Sequence, residues 1–190
     1  VVYEDETRAL KLISEELSKY HQVFVRAAIE NNGLGLVLRV NGVDVGSVIG
    51  YSTGDHRVTV GVIYYVYVRR GYWNRGYGKV LVTSMEELLE GRGSKIYVAS
   101  TSSNNIRSQK LFQSLGYEVL EWSELVNKLG HDVVEVLEAI GCMYDDDMIM
   151  IKPYNKTLLS KLKNVEYRSL WYKTCYKPWL EYRRHANMKF

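Results

Sequence analysis

Hydrophobic positions change their period several times along this chain. Between residues 5 and 20, Leu10, Ile13 and Leu17 recur at helical spacing behind Asp5 or Thr7 as N-cap, which predicts an amphipathic helix. The apolar runs QVFVRAAIE, LGLVLRV and VDVGSVIGYS that follow read as strands, and Asn41-Gly42 between the last two is a two-residue hairpin signal. From Arg57, RVTVGVIYYVYV is a strand long enough to cross a sheet; it breaks at RRGYWNRGYGK.

Beyond that break, VLVTSMEELLE places Val80/Leu81, Ser84/Met85 and Leu88/Leu89 on one face of a helix that Gly91 and Gly93 end. A strand, KIYVAS, and a second helix, NNIRSQKLFQSLG, come next, the latter with Ser108, Leu111, Phe112 and Leu115 in one stripe. GYEVLEW reads as a further strand. In SELVNKLGHDVVEVLEAIG, Leu125, Leu129, Val133, Val136 and Ile140 share a helical face, with Ser123 as N-cap and Gly141 as the stop. CMYDDDMIMIKP resumes strand alternation and Pro153 ends it.

Strand, glycine turn and helix in that order make the turn the first chemical candidate. Gly76 and Gly78 carry no Cβ, so backbone can approach a ligand closely while the N–H groups of the helix's first turn point outward, a geometry that binds phosphate. Arg75 and Lys79 beside them favour a pyrophosphate over a neutral ligand.

The block VYVRRGYWNRGYGKVLV, followed by NNIRSQKLFQSLGYEV, resembles the GNAT superfamily of acetyl-CoA-dependent N-acetyltransferases over residues 57 to 122, and more loosely over 1 to 56 and 142 to 153. In that family a loop of the form [Q/R]-x-x-G-x-[G/A] wraps the CoA pyrophosphate. The resemblance implies an α/β (α+β) fold, a mixed, mostly antiparallel central sheet flanked by helices, here with a C-terminal helical extension. It implies acetyl transfer from acetyl-CoA to a primary amine of a protein, peptide or small molecule, with no metal. It puts Asn74, Arg75, Gly76, Tyr77, Gly78 and Lys79 on the pyrophosphate, Val66, Tyr67 and Val68 along the pantetheine arm, and Asn105 in hydrogen-bonding reach of that arm.

Two positions depart from the family pattern. Trp73 stands where the loop has Gln or Arg, and Phe112 where many members carry the Tyr that protonates the leaving thiolate. Tyr72 is the catalytic candidate, positioning the amine or relaying its proton, as the matching Tyr does in some protein N-terminal acetyltransferases. The family's glutamate base falls near Ser100, too weak a base unaided, which leaves ordered water. Tyr64, Tyr65 and Tyr67 are candidate replacements for the acid, with alternation sending Tyr65 to the face opposite Tyr64; acid and base stay unassigned. The alternative function is a catalytically weakened GNAT-like binding module.

Composition bounds these readings. A chain of 190 residues with 46% hydrophobic content suits a domain over 1–153, with a helical insertion at about 123–141, and an appendage over 154–190. Cys142 and Cys175 frame no zinc motif and read as thiols of a reducing, cytoplasmic compartment, while no run approaches a membrane span. The four histidines are scattered, and Asp145-Asp146-Asp147 reads as a solvated turn rather than a metal site.

The net charge of +3 divides unevenly. Residues 154–190 hold nine Lys and Arg against two acids, +7, which leaves −4 for the rest. Leu158, Leu162 and Val165 in that tail keep helical spacing, and a helix restarts at Pro178. Trp171, Tyr172, Tyr176, Trp179 and Tyr182 interleave with Arg168, Lys173, Lys177, Arg183 and Arg184. Two readings fit: aromatics packed on the domain or in a homodimer, or a surface docking on nucleic acid or an acidic partner.

Overall fold

A computed structural model describes residues 1–187. Seven strands form one sheet in the order β1-β2-β3-β4-β5-β7-β6. They are β1 (Val2–Glu4), β2 (Leu34–Val40), β3 (Val43–Gly54), β4 (Thr59–Val68), β5 (Ile96–Thr101), β6 (Glu118–Glu121) and β7 (Met148–Lys152). Every pair is antiparallel except β4 with β5. Asn41 and Gly42 both take positive φ, 49° and 80°, the backbone that a tight hairpin between β2 and β3 requires.

One face of the sheet is covered by α3 (Tyr77–Gly91) and α4 (Ile106–Gln113). Leu81, Val82, Met85 and Leu89 are the buried stripe of α3, so the apolar face is rotated from the expected one and Val80 lies 43% exposed. Glu86 sits within that stripe because Tyr117 donates to it at 2.6 Å and Lys152 at 2.9 Å, which together answer its buried charge.

The opposite face carries α1 (Glu6–Ser14), α2 (Lys19–Glu30), α5 (Trp122–Leu129), α6 (His131–Gly141) and the C-terminal segments. Four expectations fail here for local reasons. QVFVRAAIE is helix, not strand: Phe24, Val25, Ala27 and Ala28 bury a stripe at helical spacing, and this packing overrides the β-branched content. The first helix stops at Ser14, with Asp5 capping Arg8 N–H, and Leu17 lies in the link to α2. Gly130, at φ 87° and ψ 163°, divides the insertion into two helices, and α5 begins at Trp122, so Ser123 lies inside its first turn. Gly141 does not stop α6 by a left-handed turn; Cys142 takes that conformation, and Met143 packs where a Gly141 side chain would stand.

The tail folds back onto this face as α7 (Lys156–Leu159), α8 (Arg168–Trp171) and α9 (Lys177–Asn187), with a 3-10 stretch over Ser160–Asn164. An α-helix does resume here, at Lys177, one residue before the expected Pro178, and it runs on from α8 without a break. A π-turn, Tyr172–Tyr176, joins α8 to α9, widening the chain immediately before a residue that lacks the N–H and crowds the preceding turn. Leu159, Leu162 and Val165 enter the same core as Val60, Val62, Leu137 and Ile151.

Candidate functional site

The site begins where β4 and β5 part. Their pairing runs from Val60↔Ile96 to Val62↔Val98 and ends there, although β4 continues to Val68. On its other edge β4 has a bulge: Ile49 pairs with Tyr65 and Gly50 with Ile63, which leaves Tyr64 as the extra residue. Alternation is therefore broken, and the expected separation of Tyr64 from Tyr65 is not what the chain adopts. Tyr64 packs with Val60 and Val62, Tyr65 and Tyr67 pack on the α1 side, and Ile63, Val66 and Val68 turn to the α3 side. The Tyr64 and Tyr65 rings meet edge to face at 4.9 Å.

A cavity of about 650 Å³ fills the gap between the strands. Its inner end is lined by Ile63, Val66, Asn105, Ser108 and Phe112, and its outer end by side chains from α2, the segment after α6, and the tail. Asn105 caps α4 by accepting from Ser108 N–H at 3.2 Å, which leaves its Nδ2 to donate elsewhere. Phe112 is buried edge to face against Tyr117, at 4.9 Å. Gly78 adjoins this end, since a Cβ there would stand 3.2 Å from Leu111 Cδ2; its smallness serves the packing of α3 on α4.

Gly76 does different work. It precedes α3 at φ 79°, with Asn74 at φ 61°, and a Cβ on Gly76 would meet no protein atom within 4 Å. The first-turn N–H groups of Tyr77, Gly78 and Lys79 have no partner one turn back, so they face open space at the positive end of a 15-residue helix. Cations gather round this turn. Arg107 lies 3.6 Å above the Trp73 ring, Arg70 at 5.8 Å, and Arg75 covers Tyr72 at 5.5 Å. Trp73, in the family's Gln/Arg position, donates its indole N–H to Val68 O at 2.6 Å and so ties the loop to the end of β4.

Of the residues singled out from sequence, Val66 and Asn105 line the cavity, and Asn74 to Lys79 form the exposed turn. Val68 holds the loop, and the Tyr67 hydroxyl turns away to Glu16 at 3.1 Å. Tyr72 packs near Tyr77, ring centroids 6.4 Å apart, and lies at the turn rather than on the cavity wall.

The outer end brings together groups whose partnership spacing in the sequence did not show. Ser100 donates to Asp146 Oδ2 at 2.5 Å, Trp122 donates to Asp146 O at 2.8 Å, and Tyr20 donates to Asp145 Oδ2 at 2.6 Å. Asp147 caps Ser103 from outside. The acidic run is the expected turn, with Asp145 and Asp147 exposed, but its three carboxylates are separately held and Asp145 and Asp146 adjoin the cavity, Asp146 half-buried. Burial raises the Asp146 carboxyl above its ordinary value; the Ser100 bond opposes this, neighbouring Asp145 and Asp147 add to it, and His21 opposes it. Tyr65 shares a 2.9 Å hydrogen bond with His21 Nδ1, and burial raises its hydroxyl, keeping it protonated. Among the described residues no cluster of His, Cys, Asp or Glu is arranged to hold a metal ion, and no helix is long and apolar enough to cross a membrane.

The tail completes the wall with Trp171, Cys175, Tyr176 and Trp179. Tyr176 stacks between Trp171 at 5.2 Å and Trp179 at 6.0 Å, and Tyr182 meets Tyr20 at 5.1 Å. Arg168, Lys173, Lys177, Arg183 and Arg184 are exposed.

Comparisons with known proteins bear on this arrangement. No curated protein matches the chain. Among solved structures, a GNAT-family acetyltransferase from Staphylococcus aureus is similar at TM-score 0.57 and 14% identity, covering 80% of this chain and 96% of its own. An IAA acetyltransferase from Bacillus cereus is similar at 0.51 and 18%, over 63% of this chain and 77% of its own. The aminoglycoside N-acetyltransferase AAC(6')-Iy in complex with CoA is similar at 0.52 and 18%, over 62% and 91%. At such identities the likeness shows the fold. The model of the acetyltransferase (GNAT) family matches residues 2–117, more than half of the sequence, and on that match the chain belongs to this family.

Proposed function

We propose that the protein moves an acetyl group from acetyl-CoA, which is a consumed substrate, to a primary amine. The observation that carries this reading is the opening of β4 from β5 beyond Val62↔Val98, between an anion-accepting helix start and a cavity with carboxylates at its far end. The turn fits a pyrophosphate: Gly76 keeps the approach clear, the first-turn N–H groups of α3 supply donors, and Arg75 and Lys79 add charge. Asn105 Nδ2 and the β4 backbone beyond Val62 would pair with the amides of the pantetheine arm, and those backbone N–H groups would polarise the thioester carbonyl.

Transfer also requires a proton for the departing thiolate. Phe112 cannot supply one. Tyr65, whose hydroxyl stays protonated on the cavity wall beside His21, is the donor nearest that role. One observation favours a second reading, a domain that binds CoA but transfers slowly: the buried Phe112 ring brings no hydroxyl to the inner end.

Calorimetry with CoA, followed by a thiol-release assay with acetyl-CoA and a panel of primary amines, tests both. Saturable binding that Gly76→Asp weakens at least tenfold, with thiol release dependent on an amine, supports the enzyme. Binding without release on any amine supports the slow module, and unchanged affinity in Gly76→Asp removes the turn from the donor site.

A further inference from the structure

The outer half of the cavity has a chemical character of its own. Tyr20, Phe24, Trp171, Tyr176 and Trp179 give it an aromatic wall, and Asp145 and Asp146 lie at one end. Among the described residues no Lys or Arg lines it. A cavity lacking a cation offers nothing to an acceptor's carboxylate, whereas aromatic faces attract a cation electrostatically and stack on flat apolar bodies. Asp145 and Asp146 each accept one hydrogen bond, from Tyr20 and from Ser100, but Asp145 is exposed to solvent and Asp146 is half-buried, so Asp146 is the carboxylate whose remaining lone pairs face one positive charge inside the cavity. The 650 Å³ must hold the acyl end of the donor as well, so the acceptor is small.

We infer that the acceptor is a small monoamine with an aromatic body and no carboxylate, an arylalkylamine in chemical class, and that Asp146, held by Ser100, is the catalytic residue that anchors its ammonium and takes its proton. This inference rests on the acetyl-transfer reading above. Ser100, on β5, stands near the position that often carries a glutamate in the resembled family, and it directs onto the cavity a carboxylate from the segment preceding β7, 46 residues along the chain.

The ammonium gives one proton to the Asp146 carboxylate, and the nitrogen lone pair then forms the C–N bond at the thioester carbonyl. The C–S bond breaks with its electron pair on sulfur, Tyr65 gives its hydroxyl proton to the thiolate and regains one from the nitrogen's second N–H, and Asp146 returns its proton to solvent. The groups facing Asp146 are Ser100 on β5, His21 on α2, Tyr65 on β4, and Asp145 and Asp147 on its own segment.

Phenethylamine is the probe, against spermidine, the aminoglycoside kanamycin and a short peptide with a free N-terminus, all with the full-length protein and acetyl-CoA. Phenethylamine should have the highest kcat/KM by at least tenfold. Asp146→Asn should lower kcat on it about 10²-fold or more, within the usual range for a lost acid–base group, and abolish the acid limb of the pH–rate profile, with CoA affinity by calorimetry unchanged. Ser100→Ala should keep activity but move that limb to higher pH, because the Ser100 hydrogen bond favours the ionised carboxylate. Turnover in Asp146→Asn within threefold of the parent, or a retained acid limb, overturns the catalytic role. A preference for spermidine, kanamycin or the peptide overturns the acceptor class. Failure of the parent to bind CoA or to turn over any amine overturns the acetyl-transfer reading, and this inference with it.

Discussion

The turn before α3 draws its parts from one short stretch, Trp73 to Lys79, whereas the outer wall of the cavity takes Tyr20, Ser100, Asp146 and Trp179 from distant parts of the chain. The first is made by backbone: positive φ at Asn74 and Gly76 and N–H groups at a helix start. The second is made by side chains that meet after the sheet has formed and the tail has folded back. A backbone site keeps its chemistry through most side-chain changes, while a side-chain site depends on the stability of every element that supplies it. The family match, ending at residue 117, spans the first region and stops short of Asp146 and Trp179.

The largest effect should follow from removing the tail. Leu159 and Leu162 are fully buried and Val165 is 5% exposed. At about 1.5–3 kcal/mol for each such side chain, they amount to much of the ~5–15 kcal/mol that holds a typical domain folded. A chain stopped after Pro153 should lose its cooperative thermal transition, or melt more than about 10 °C lower, by circular dichroism. An unchanged midpoint would make the tail an appendage and dissolve the contrast between the two regions. Lys173, Lys177, Arg183 and Arg184 remain exposed while Trp171 and Trp179 face the cavity. Any nucleic-acid docking there would rest on charge without those two rings, and its affinity should fall as salt rises.

Smaller effects should separate cleanly. Trp179→Ala removes an aromatic wall from the acceptor end and should raise the KM of the preferred amine about tenfold, with the CoA Kd within twofold. Arg75→Ala should do the reverse, weakening CoA about three- to tenfold through a lost cation at the helix start. Calorimetry for CoA and initial rates against amine concentration read both. If both variants change both constants together, the cavity is a single coupled site and the division drawn here fails.

The same contrast decides what the sequence discloses. The β4–turn–α3–β5–α4 unit and the Asn41-Gly42 hairpin are legible because each rests on local periodicity or on backbone that few residues adopt. β1 is three residues long, too short to leave a period, and α2 reads as a strand because six of the eight residues of QVFVRAAI are apolar or alanine and suit either period. The bulge at Tyr64 is set by pairing with β3, so no pattern within β4 predicts that Tyr64 and Tyr65 adjoin the same cavity. Asp146 was hidden twice over: it lies in a run of three acids that resembles a solvated turn, and its partner Ser100 is on another strand.

The smallest effect is on stability against pH, and the two regions of the sheet should differ in sign. Asp44, on β3, accepts from Arg39 and Arg8, each at 2.7 Å, and from Tyr3 at 3.1 Å; the Arg39 hydrogen bond foremost lowers its carboxyl from 3.8 to about 2. Its contribution is therefore present above the unfolded value and is lost as pH falls from about 4 through 2. With the arginine side chains 35% and 48% exposed, solvent screening leaves about 1 kcal/mol, so Asp44→Asn should melt about 2–4 °C lower at pH 7, the gap closing in acid. Asp146 is raised by burial, so its folded state binds the proton more tightly than the unfolded chain, and its contribution is present in acid and lost as pH rises through the raised value. Asp146→Asn should accordingly melt slightly higher than the parent at pH 7 and level with it in acid. Calorimetric melts from pH 2.5 to 8 check both signs. A lower midpoint for Asp146→Asn at pH 7 would show that Ser100 and Trp122 hold this carboxylate for the fold, and that it is not a group kept ionised at a cost in stability.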